Sequence, residues 1–186
     1  MAASVTSPAD VLNLSLKPLG YKLRVGSLDD GSDAANAALD IYAQTRDALL
    51  RMSDWGFAEY IAVASLSGGA APAPWLFEYT YPTDCMRLRN VFYASYIADQ
   101  NDPLPSRYTE GNSVALGKVV WTKATAARFV YTRQVTNPAQ WEPLFVEAFA
   151  TQLGERLGPV LTGGEGAKMA MARSQIIVPL AEGVVG

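Results

Sequence analysis

In a chain with no histidine and a single cysteine, few side chains could do chemistry. The carboxylates Glu59 and Glu78 lie in stretches rich in aromatic and β-branched residues. They could serve as the paired acids of a glycoside hydrolase, a mechanism that needs no imidazole, thiol or metal. Such a pair must face one cleft at roughly 5–10 Å, which nothing in the spacing demonstrates. Cys85 follows Asp84, but a neighbouring carboxylate raises a thiol's pKa, and a nucleophilic thiolate needs a cation or base beside it. The common zinc sites and the Ser-His-Asp triad lack a ligand or a base, and one cysteine excludes an intrachain disulfide. The expectation is therefore no catalytic, cofactor-binding or metal-binding residue, with a carboxylate glycosidase as the surviving enzymatic alternative.

Two further patterns could bind rather than react. Arg87, Arg89, Lys118, Lys123, Arg128 and Arg133 are interleaved with Tyr93, Tyr96, Trp121 and Tyr131, as on a sheet that stacks single-stranded bases. Those residues would have to share one face, and no barrel topology follows from strands flanked by this much helix. The net charge of −3 and a pI near 5.0 also oppose tight binding to phosphates. The pairs Gly68-Gly69 and Gly163-Gly164 lack the lysine or the strand-turn-helix setting of a phosphate loop and are turns.

The elements that position these residues fall into three blocks. Ser7, Pro8 and Asp10 open a helix over about 7–19 that Gly20 closes. A long helix over about 33–53 follows, capped by Ser32. At about 100° per residue, Asn36, Asp40, Gln44, Asp47 and Arg51 fall in a stripe about 80° wide, which predicts one narrow wet face and packing over the remainder. The middle, about 57–134, reads as strands: Phe57–Leu66, Trp75–Tyr81, Met86–Tyr96, Val114–Lys123 and Ala127–Gln134. The first two are joined as antiparallel neighbours by the turn-forming stretch from Gly68 to Pro74. A polar loop runs from Asp99 to Ser106.

Helix returns at about 138–161 after a cap at Asn137, read as a short opening turn, a kink at Pro143 and a main helix from about Pro143 to Leu161, with Gly154 and Gly158 leaving room for another backbone. A fourth helix is read at 165–174. Residues 176–186 form an extended, apolar, β-prone tail that would be an aggregation hazard unless docked. The predicted fold class is α+β: a helical bundle of three to four helices with a smaller antiparallel β region inserted between the second and third long helices. Residues 1–175 are expected to be a single domain. Hydrophobic residues at 49% and charged ones at 18% suit a globular chain. With no apolar run of about 18 residues and no secretory layout, the expected setting is a cytoplasm and no membrane is expected as a partner.

Three motifs stand in a fixed order: Trp55-Gly56-Phe57-Ala58 at the end of the long helix, Tyr81-Pro82-Thr83-Asp84-Cys85 after an aromatic strand, and Trp141-Glu142-Pro143-Leu144-Phe145 opening the next helix. Taken alone, each has a structural explanation as a helix stop, a turn or a helix start. Together they resemble the head-to-tail adaptor (connector) proteins of tailed bacteriophages, also called tail tubular protein A, over roughly Ser7 to Arg173. The resemblance implies a structural virion protein without catalysis or cofactor, assembled in the host cytoplasm. Its copies would form a dodecameric ring joining the portal protein to the tail nozzle or tail tube, with DNA only as passing cargo. A head-completion or stopper protein of a long-tailed phage neck is the alternative. By the same resemblance, Ile176, Ile177, Val178, Leu180, Val184 and Val185 are candidates to dock on the portal. Asp99, Asn101, Asp102, Leu104 and Arg107 are candidates to meet the tail or a neighbouring subunit, from the exposure of their loop.

Overall fold

The computed structural model describes residues 5–93 and 105–162. They fold as mixed α+β, with three α-helices and six strands in two antiparallel sheets among the described residues. The chain divides into two compact units. One is drawn from Met1–Phe57 and Val135–Gly186, and the other is Ala58–Gln134. The fourth helix read at 165–174, the tail residues Ile176, Ile177, Val178, Leu180, Val184 and Val185, and the loop residues Asp99, Asn101, Asp102 and Leu104 lie outside the described residues.

The helical unit starts with α1 (Pro8–Leu16), whose N-terminus is closed by a capping box. The Ser7 hydroxyl accepts the Asp10 amide while the Asp10 carboxylate accepts the Ser7 amide, so two donors that no helix turn can satisfy are paired. A short 3-10 turn at Lys17–Leu19 ends at Gly20, whose φ of 71° needs a residue without a Cβ. The side chain of Asn13 then binds Val25 through both its amide and its carbonyl at 2.9 and 2.8 Å, pinning the returning chain as a strand neighbour would.

Helix α2 (Asp33–Met52) is capped by Ser32, as expected. Its wet face is wider than the predicted stripe. Asn36, Asp40, Gln44 and Arg51 are exposed, but so are Leu39 at 47% and Met52 at 56%, while Thr45 and Arg46 are buried. Its buried residues lie on one side of the helix, and among the described elements it packs mainly against α3 (Pro143–Thr162). The break expected at Pro143 falls between a short opening turn and this helix, as read, rather than within the helix. Pro143 stands at the first position of α3, where the missing amide would have had no partner, and a separate 3-10 turn at Pro138–Gln140 precedes it. The helix α1 crosses α3 at Gly154, where any Cβ would stand 2.8 Å from the Ser15 carbonyl oxygen. The space expected beside this glycine is thus filled by backbone.

The second unit holds β1 (Glu59–Val63), β2 (Phe77–Thr80), β3 (Cys85–Phe92), β4 (Tyr108–Ser113), β5 (Gly117–Thr122) and β6 (Arg128–Arg133). One sheet has the order β1-β6-β3 and the other β2-β5-β4, all antiparallel. Hydrogen bonds stitch the two at both seams. Past β1 the chain pairs with β2, through Ser67 amide to Glu78 carbonyl and Thr80 amide to Ser65 carbonyl. At the other seam the Ser106 amide donates to the Val91 carbonyl at 2.7 Å. Tyr79, Leu88, Val91, Val120, Phe129 and Tyr131 from both sheets fill the space between. The two sheets thus share one interior and are linked by backbone hydrogen bonds at two places, while β1 and β6, the first and last strands, are neighbours.

Strand β4 also departs from expectation. Its sequence, Tyr-Thr-Glu-Gly-Asn-Ser, is poor in β-formers, whereas Val114, read as strand, sits fully exposed in the β4-β5 turn. Pairing to β5 along its whole length overrides local propensity.

Candidate functional site

The carboxylates do not form a catalytic pair. Glu59, on β1, is bound to Arg89 at 2.8 Å, and Arg89 also donates to Thr132. Glu78, on β2, accepts the Ser67 hydroxyl at 2.6 Å and the Trp121 indole N–H at 2.8 Å. Seven residues lie between Glu59 and Ser67, to which Glu78 is anchored, and each carboxylate is committed to a different set of partners. The two hydrogen bonds, with that from Ser67 the stronger, hold the Glu78 carboxyl below its usual range, so it stays ionised. An acid catalyst would need the opposite shift.

Cys85 opens β3 and is buried, and burial pushes its thiol up to about 11. It hydrogen-bonds Tyr81, whose hydroxyl also reaches Glu110 at 3.4 Å; Lys118 is paired with Glu110 at 2.6 Å and lies 3.8 Å from the centre of the Tyr81 ring. This is a closed set of mutually satisfied groups. Asp84 accepts the Tyr131 hydroxyl at 2.9 Å, and its charge adds a little to the upward push that burial gives the thiol. Among the described residues no group of acidic, histidine or cysteine side chains could hold a metal ion.

Among its described members the basic and aromatic set is not brought onto one face; Tyr96 lies outside the described residues. Tyr131 points into the interior, Arg89 is held by Glu59, Lys118 by Glu110, and Arg133 lies over the Tyr60 ring at 5.0 Å. Arg107 is exposed, and its carbonyl accepts the Thr122 hydroxyl at the seam.

The residues quoted for the outer two motifs do come together. The Trp55 indole donates to the Leu49 carbonyl and the Trp141 indole to the Val135 carbonyl, both at 2.9 Å and both six residues back. Trp55, Phe57 and Trp141 each stand with ring centres 5.0 Å from Phe145, edge to face. Trp141 also meets Phe149 at 5.2 Å, and Phe149 meets Tyr42 of α2 at 4.9 Å. Aromatic pairs in these geometries contribute about 0.5–1.5 kcal/mol each beyond their burial. The cluster fastens the end of α2 to the start of α3.

What is left unsatisfied is a surface. Every residue of β1 is exposed or half-exposed, with Tyr60 at 44%, Ile61 at 50% and Val63 at 67%. Sequence reasoning placed the strand but not its edge, because the signal lies in Pro82, beyond the end of β2 and far from β1 in the chain. A scan of protein-family models and a search of curated proteins found no match to this chain.

Proposed function

We propose that this chain is a structural part of a tailed-phage neck: a head-to-tail adaptor whose copies form a ring, dodecameric as in the family it resembles, between the portal protein and the tail. In this reading the helices make a bundle that carries the β unit as an insert, the tail nozzle or tube binds below, and DNA passes through the lumen as cargo. The observation that supports it is the aromatic cluster around Phe145. Two of the three motifs behind the resemblance, far apart in the chain, serve one purpose, so their co-occurrence is a coherent pattern rather than two coincidences. The net charge of −3 suits a lumen that does not retain DNA.

The test is electron microscopy of the purified chain mixed with the portal protein of the same virus. A ring stacked on the portal is the expected result and yields the copy number. Absence of any complex would overturn the adaptor assignment and favour another level of the neck.

A further inference from the structure

The open side of β1 is a docking edge. In the pairing with β6, the Ala64 amide bonds to the Ala127 carbonyl, which fixes even-numbered residues as those facing β6. Odd-numbered residues face the other way. Ser65 and Ser67 spend that side on β2, but Glu59, Ile61 and Val63 have no strand beside them among the described residues. The reason is in β2. Its register with this stretch, Leu66 opposite Tyr79, would bring Pro82 opposite Val63. Proline has no amide hydrogen to give, and the chain leaves in the turn where the Cys85 amide bonds to the Pro82 carbonyl.

The result is a bare strand edge with apolar side chains and none of the usual protection: no lysine, no proline and no bulge within β1. Its one charge, Glu59, is neutralised by Arg89. An occupant should therefore be extended, apolar and uncharged. The same chain supplies such a segment in Ile176-Ile177-Val178-Pro179-Leu180, which carries no charge and three β-branched residues in a row. If Ile176 and Val178 turn their backbone groups to β1, their side chains share a face with Ile61 and Val63. Pro179 then falls with Ile177 on the outward side, where its missing amide is harmless. The stretch between Thr162 and Ile176 can span on the order of 45 Å when extended, enough to leave its own molecule.

We infer that the edge of β1 receives residues 176–180 of a second copy of this chain, as an added antiparallel strand. The contact is head-to-tail, joining two different surfaces, and so can close a ring rather than stop at a dimer.

The test uses the full-length chain, with sedimentation velocity over a concentration series and amide hydrogen exchange at Ile61 and Val63. Concentration-dependent association is expected, with exchange at both amides slowing by about tenfold or more as it proceeds. Ile61→Lys on the edge and Val178→Pro in the segment should each abolish association; Ile61 is half-exposed, and unchanged circular dichroism checks that each variant folds. A monomer at every concentration with unprotected amides overturns the inference. Protection that is already complete in the monomer assigns the edge to the molecule's own segment, and association that survives Val178→Pro but not Ile61→Lys assigns it to a β1-to-β1 pairing; either result overturns it as well. A ring on the portal with both amides still unprotected would sink this contact while leaving the adaptor assignment intact.

Discussion

The indole of Trp121 lies over Gly111 on the adjacent strand, in the space a side chain would otherwise take. The two are diagonal neighbours in the β4-β5 pairing, where Gly111 faces Val119 and Trp121 faces Thr109. The glycine weakens a strand locally, and the ring restores the lost contact. Gly111→Ala should clash with the ring and destabilise the protein by about 1–3 kcal/mol. Combining it with Trp121→Leu should cost less than the two changes summed, which a double-mutant cycle by chemical denaturation would read out.

The β5-β6 loop hangs on one hydroxyl. Tyr79 is fully buried, donates to the Ala124 carbonyl at 2.9 Å and accepts the Ala127 amide at 3.2 Å. Tyr79→Phe keeps the ring and strands two buried backbone groups, at about 1–3 kcal/mol. The denaturation midpoint should fall with an unchanged slope, and the Ala127 amide should lose protection first.

Gly154 sets two effects against each other. In an exposed helix, Gly→Ala stabilises by about 1 kcal/mol. Here the added methyl would stand 2.8 Å from a backbone oxygen of α1, which must move. Gly154→Ala is expected to be net destabilising, and a raised melting temperature would show that α1 is free to shift.

Acid should weaken the β unit through Glu78. Its folded pKa lies below the usual 4.5, so the stabilisation it contributes is complete above about that pH and declines as pH falls through the folded value. Glu78→Gln should flatten the stability profile below pH 4.5 while leaving the upper range parallel. An equal acid slope in the variant would remove Glu78 from the account.

How much of this was legible depended on whether the signal was local. Ser7 with Asp10, Ser32, Asn137 with Pro138, and Pro143 at a helix start all act within one turn, and each element they announce is present. Strand β4 was invisible because nothing in Glu110-Gly111-Asn112 favours extension; only its partner and Trp121 do. The exposed Leu39 and Met52 escaped for a related reason, since periodicity tells which residues share a face but not how many neighbours that face will meet. At the candidate site, the apolar character of β1 was readable. The openness of its edge was not, because it depends on a register that places Pro82 across from Val63.

The β unit leaves the helical chain and returns to it through neighbouring strands, with Glu59 opposite Thr132. For the helices on either side, the whole of Ala58–Gln134 thus behaves as a tight turn once it has folded. Closing a flexible loop of that length would cost the α2-α3 contact about 2–3 kcal/mol more than closing a turn of a few residues. The insert is in this sense a clasp: once it has folded, α3 meets α2 at the lower cost of a short turn, and a graft of any other domain with adjacent ends would be expected to serve the helices equally well.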